Sequence, residues 1–254
     1  MKKTLLAVLT LVFVLSGCAQ QTTKDSITIL TSSGYPPYEM VDEAGNLIGF
    51  DIDFGNALGE KLGVEVKWED MDFDGIIGSL NSNRGTMAIA AMSPDPERDV
   101  DFSVPYYIGA EESPFFILTL AEGGVVDSND LVGKKVGTQI GTIQESLLNK
   151  IEAEFSFVTD PKQNVSQLVQ EVITGRLDFV IIEGPTAREY VLEFPALTTF
   201  ELSHPEVTKY IEEVSGVSVA LPRGSEWTEK VNIAIAELIA DGTMDALIKK
   251  WFTE

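Results

Sequence analysis

The sequence contains one cysteine, Cys18, and one histidine, His204, in 254 residues. A lone cysteine closes no intramolecular disulfide, so the fold must rest on its hydrophobic core. The same scarcity leaves no Cys/His set at metal-ligand spacing and no Ser-His-Asp constellation. Neither a metal nor any other cofactor is expected, and His204, between Ser203 and Pro205, reads as a surface loop residue. Positive charge is short as well: 18 Lys and Arg stand against 40 Asp and Glu, for a formal charge of −22. That imbalance excludes nucleic acid and anionic lipid headgroups as partners, since both need a basic face. It fits a solvated acidic surface, or an acidic cleft that draws in a cationic solute. No apolar run reaches the roughly 20 residues that span a bilayer.

One shorter apolar run is present. Lys2 and Lys3 precede Leu5–Leu15, and Leu15-Ser16-Gly17-Cys18 follows, which resembles a bacterial lipobox. Residues 1–17 therefore read as a lipoprotein signal peptide. Cleavage before Cys18 would leave its thiol to be acylated, and 18–25 reads as a short polar tether. The 18 basic residues less Lys2 and Lys3 leave 16 against 40 acidic ones, so the mature chain is near −24.

Beyond the tether the patterns alternate between strand and helix. Ile27–Leu30 reads as a strand, and Leu47–Phe50 as a second. A helix carrying Phe54, Ala57, Leu58 and Leu62 follows, with Asp51 as its cap and Gly63 just past its end. Val64, Val66 and Trp68 alternate as a strand, Ile76, Ile77 and Leu80 lie on a helix, and Met87–Met92 is the next strand. This β-α-β-α-β run predicts an α/β fold with mostly parallel strands. Phe102–Tyr107 reads as an extended crossing segment. After it come strands at Phe115–Leu120, Val136–Gln139 and Asp178–Ile182, and helices beginning at Thr142 and around Pro185. The chain ends on extended Val214–Leu221 and two amphipathic helices.

Chemistry gathers at strand ends. Ala90 and Ala91 run into Ser93, two prolines and Arg98, whose fork can take a carboxylate bidentately or lie solvated in a loop. Tyr35 and Tyr38 flank Pro36-Pro37, a stiff segment able to present an aromatic face or to pack in a core. Thr142 and Glu145 fit a capping box, and the amides opening that helix suit an anion. Glu183 closes a buried-type strand, where ligands of open α/β sheets collect; it could also cap the next helix.

Taken in order, Tyr35-Pro36-Pro37-Tyr38-Glu39, Gly49-Phe50-Asp51-Ile52-Asp53, Met71-Asp72-Phe73-Asp74-Gly75, Pro96-Glu97-Arg98, Val136–Thr142 and Asp241-Gly242-Thr243 carry a resemblance. The chain resembles the bacterial solute-binding proteins of polar amino-acid ABC transporters, of the glutamine-, histidine- and lysine/arginine/ornithine-binding type. The resemblance implies a two-lobed type II periplasmic-binding-protein fold. Each lobe is then a mostly parallel sheet flanked by helices, and two crossing hinge strands join them. Lobe one would be 26–109 plus 215–254, and lobe two 110–214. It further implies a ligand carboxylate held by Arg98, the Ser93 hydroxyl and strand-end amides around Ala91. Amides at Gly141, Thr142 and Ile143 would complete that site from the other lobe. Glu183 would take the α-ammonium, Tyr35 and Phe73 would form aromatic walls, and Gln139 would face the ligand side chain. Glu183 stands where the family usually has aspartate. Ser32 stands where basic-amino-acid binders often carry an acid, and the link after Arg98 is shorter than the common form.

The implied function is capture of a free polar or basic amino acid, with arginine or lysine ahead of glutamine, and delivery to an ABC permease. The protein would be monomeric and tethered outside the cytoplasm through acylated Cys18. A rival of another class is a dehydratase-like enzyme on the same scaffold, with Glu183 as general acid and Arg98 anchoring a small carboxylate.

Overall fold

A computed structural model describes residues 25–109, 113, 115–210 and 216–252; Cys18 and the tripeptide before it lie outside these. The chain opens with β1 (Ser26–Thr31), the short hairpin β2 (Met40–Val41) and β3 (Leu47–Ile48), and α1 (Phe50–Leu62). It continues through β4 (Glu65–Asp70), α2 (Ile76–Asn81), β5 (Met87–Ala88) and β6 (Asp101–Tyr107). The second half holds β7 (Phe116–Leu120), β8 (Lys135–Gly137), α3 (Ile143–Phe155), β9 (Val158–Thr159) and α4 (Val165–Ile173). After β10 (Phe179–Ile182) come α5 (Gly184–Glu193), β11 (Leu197–Glu201) and α6 (Pro205–Thr208). β12 (Val217–Leu221), α7 (Trp227–Ala240) and α8 (Thr243–Trp251) close the described chain.

Two five-stranded sheets result, ordered β4-β1-β5-β12-β6 and β11-β7-β10-β8-β9. In the first, β12 runs against β5 and β6 and the other strands share one direction; in the second, β7 is the reversed strand. Each sheet is therefore parallel in direction but for one strand. Helices cover both faces of the first. Ile27 and Ile29 pack with Phe54 and Leu58 of α1, while Leu30 packs with Ile76 and Leu80 of α2. Burying each such side chain contributes about 1.5–3 kcal/mol.

Three local expectations give way in the structure. Asp51 does not cap α1. That place belongs to Gly49 (φ 136°), where a Cβ would lie 2.1 Å from the Tyr38 carbonyl oxygen. The Asp51 carboxylate instead turns inward and is fully buried. The strand expected over Met87–Met92 ends at Ala88, because Ala91 adopts φ 46° and its amide leaves the sheet to donate to Asp51. β8 likewise stops at Gly137, with only a single bridge from Gln139 to Lys162 beyond it. His204 does lie in a loop, half-exposed, but with local partners: its Nδ1 accepts the Glu206 amide at the head of α6, and its ring meets Phe155 edge-on.

Candidate functional site

The strands sharing a direction in each sheet end facing the other sheet, and the loops beyond them line one cavity. From the first sheet come Tyr35 and Glu39 after β1, Ala90, Ala91 and Ser93 after β5, Phe73 before α2, and Arg98. From the second come Gln139 after β8, Thr142, Ile143 and Gln144 at the head of α3, and Glu183 after β10. Of the ten residues that the resemblance placed at the site, nine line this one space and Gly141 does not. Glu39 and Gln144 line it as well and were not singled out. The Glu39 side chain is placed by a turn in which the Gly34 and Tyr35 amides both donate to its carbonyl. Nothing in the local pattern marks that carboxyl as inward-facing.

Arg98 sits over the Phe73 ring, 5.5 Å from its centroid, in a turn closed by its amide on the Asp95 carbonyl. Its guanidinium donates to the Ser93 carbonyl at 2.9 Å and across the cleft to the Gly141 carbonyl at 3.1 Å. Burial pulls its pKa down, while Asp95 and Glu183 push the other way. It keeps its charge regardless.

The head of α3 follows its expected capping box with one shift. Thr142 Oγ1 accepts the Glu145 amide and donates to the Gln139 carbonyl, but the Glu145 carboxylate reaches back to the Gly141 amide at 2.7 Å. The Gly141 amide is thus occupied, contrary to its expected place in an anion site. The amides of Thr142 and Ile143 open the helix, where first-turn donors lack intrahelical acceptors.

Three carboxyl groups lie in or beside this cavity. Glu183 precedes α5 without capping it through its side chain, and its own amide meets the Tyr35 hydroxyl at 3.4 Å. Burial and then the Glu183 charge raise the Tyr35 phenol well above its ordinary value, so it stays protonated. Glu39 is 1% exposed, and its buried Oε2 meets no hydrogen-bond partner among the described residues. Burial, followed by the adjacent Asp51 charge, raises Glu39 well above the carboxylate range. Asp51 is pushed up by burial to about 6, against the opposing pull of the Ala91 amide, the Tyr106 hydroxyl and Glu39. Among the described residues no cluster of His, Cys, Asp and Glu could hold a metal ion.

An arginine, two helix-opening amides and buried carboxyl groups thus line one cavity, which are the groups an amphoteric solute needs. The family model of bacterial extracellular solute-binding proteins, family 3, matches residues 27–254. The arginine-binding extracellular protein ArtP of Bacillus subtilis is 34% identical, the alignment covering 100% of this chain and 99% of that protein. An ancestral arginine-binding protein solved with arginine superposes with a TM-score of 0.81 at 33% identity, covering 91% of this chain and all of the other. An ancestral arginine-binding protein bound to glutamine gives 0.79 at 33% identity, covering 91% of this chain and 99% of that one. This chain belongs to the bacterial extracellular solute-binding proteins of family 3, and its two-lobed α/β fold is theirs.

Proposed function

We propose that this protein captures a free basic amino acid, arginine ahead of lysine, between its lobes and hands it to an ABC permease while tethered to a membrane through acylated Cys18. Lobe one would comprise 26–109 with 215–254, and lobe two 110–214. The observation that carries the ligand class is Glu39. It brings to the cavity a second buried carboxyl besides Glu183, and no donor among the described residues reaches its Oε2. That oxygen calls for a donor from the ligand side chain, and a guanidinium supplies several while its charge favours the ionised form of Glu39. The α-carboxylate goes to Arg98 with the Thr142 and Ile143 amides, the α-ammonium to Glu183, and Tyr35 and Phe73 flank the aliphatic stem. The relatives named for arginine support the same class.

The test is a calorimetric and thermal-shift screen of the twenty amino acids. Arginine is expected to bind most tightly, and at 100 times its Kd it adds about 2.7 kcal/mol to stability. Arg98→Ala should abolish this gain while the empty protein melts close to wild type. Tighter binding of glutamine than of arginine overturns the ligand class. No response to any amino acid overturns the reading altogether.

A further inference from the structure

Arg98 is gripped from two sides, and only one of them is the cavity. Toward the cavity its guanidinium donates to the Ser93 and Gly141 carbonyls. Behind it, the Arg98 main-chain carbonyl accepts the Val100 amide at 2.9 Å and a guanidinium N–H of Arg223 at 3.3 Å. Arg223 lies 125 positions further along the chain, in the turn between β12 and α7 that the Ser225 amide closes on the Pro222 carbonyl. The same guanidinium donates to Asp99 Oδ1 at 2.7 Å and to Asp101 Oδ1 at 3.4 Å. The Gly224 amide joins it on Asp101 Oδ2 at 2.7 Å. One planar fork thus holds three acceptors within 98–101 and lines none of the cavity.

An exposed ion pair such as Arg223 with Asp99 contributes little by itself. What sets this one apart is the third acceptor, the backbone of the residue whose side chain faces the ligand site. Arg98 lies in no helix or strand. Its own turn supplies the Arg98 amide on the Asp95 carbonyl and the Glu97 amide on Asp95 Oδ1. Both bonds are local, and such a turn can move as a unit about its ends. Beyond it Val100 is buried with Phe73, Ala90 and Met92, which anchors one end. Arg223 ties Arg98 itself to a second, distant element. We propose that Arg223 is a positioning residue for the ligand carboxylate: by gripping the Arg98 carbonyl and the two acids after it, Arg223 sets how the Arg98 guanidinium is presented to the cavity. The inference rests on the reading of Arg98 as the partner of that carboxylate. Lysine could not take its place, because an ammonium is a point charge without the fork that spans a carbonyl and two carboxylates.

Calorimetry of the intact protein with arginine tests this in Arg223→Ala and Arg223→Lys. The alanine variant should bind arginine about three- to tenfold more weakly, while the empty protein melts close to wild type. The lysine variant keeps the charge beside Asp99 and Asp101 and should recover little of that loss. Argininamide, which offers Arg98 no carboxylate, should lose less affinity than arginine in the alanine variant. Hydrogen exchange supplies a direct view of the grip: the Val100 amide, which shares the Arg98 carbonyl, should exchange faster in Arg223→Ala, with the amides of β12 unchanged. Unaltered arginine affinity in Arg223→Ala, full recovery by lysine, or an equal loss for arginine and argininamide overturns the inference while leaving the ligand assignment intact. Arginine binding that survives Arg98→Ala overturns the reading on which it rests.

Discussion

Ala91 holds a left-handed conformation (φ 46°) because its amide is bound by a carboxylate forty positions earlier in the chain. An alanine there costs about 1 kcal/mol or more in backbone strain. The Asp51 contact offsets it, and the two residues act as one unit. The unit has a pH signature in the empty protein. The unfolded chain gives up the Asp51 proton near its ordinary 3.8, the folded chain only near about 6. Between those values the folded state binds more protons. This contribution therefore favours folding fully below 3.8 and is lost as pH rises through 6. Its size is on the order of 3 kcal/mol. Chemical denaturation of wild type and Asp51→Asn across that range should show wild type losing ground steadily against the variant. A difference that stays constant from pH 4 to 7 would mean that Asp51 carries no shifted proton.

At the scale of elements, the head of α3 is where local sequence and site chemistry coincide. Thr142 caps the helix and ties it to the Gln139 carbonyl, which sets the direction of the two amides facing the cavity. Thr142→Ala should cost about 1 kcal/mol as a lost cap. It should also weaken ligand binding, whereas Thr142→Ser keeps both; melting and titration of the pair of variants distinguish them. This cap was legible because both partners lie within four residues. So were the strand and helix cores, whose apolar periods match β1, α1, α4 and β10, and the αL stop at Gly63. The site residues were legible as strand-end chemistry only through resemblance to a family. What stayed hidden had its partner far along the chain. Asp51 opens an apolar run just as a cap does, and nothing local reveals that its partners are Ala91 and Tyr106, 40 and 55 residues on. Glu39 looked like one more acid among 40. The strand ending at Ala88 looked longer because the apolar run to Met92 continues past the point where Asp51 draws the backbone away.

For the whole molecule, the two sheets meet through contacts inside and outside the cavity. Inside are Arg98 on Gly141 and the Tyr35 hydroxyl at the Glu183 amide. Outside it, Tyr190 of α5 donates to the Gly34 carbonyl at 3.0 Å, and Asn164 Nδ2 reaches the Ser33 carbonyl at 3.4 Å. These outer bonds join the loop after β1 to helices of the second sheet, so any parting of the two sheets would have to break them. A contact of that kind shifts the open–closed equilibrium without touching ligand, and apparent affinity scales with the closed fraction for every ligand alike. Tyr190→Phe removes the hydroxyl and keeps the ring against Phe194, with centroids 6.5 Å apart. It also gives up the contact of that hydroxyl with Ser166 Oγ at 3.1 Å, which lies within the second lobe, while losing the bond to Gly34 costs about 0.5–1.5 kcal/mol. Affinity should therefore fall roughly threefold to tenfold for arginine and by the same factor for any weaker ligand, with no change in their ratio. Small-angle scattering of the empty variant should show a larger radius of gyration as the lobes part. A changed ratio would instead place Tyr190 among the groups that read the ligand, and unchanged affinity would mean that closure is held by the cavity contacts alone.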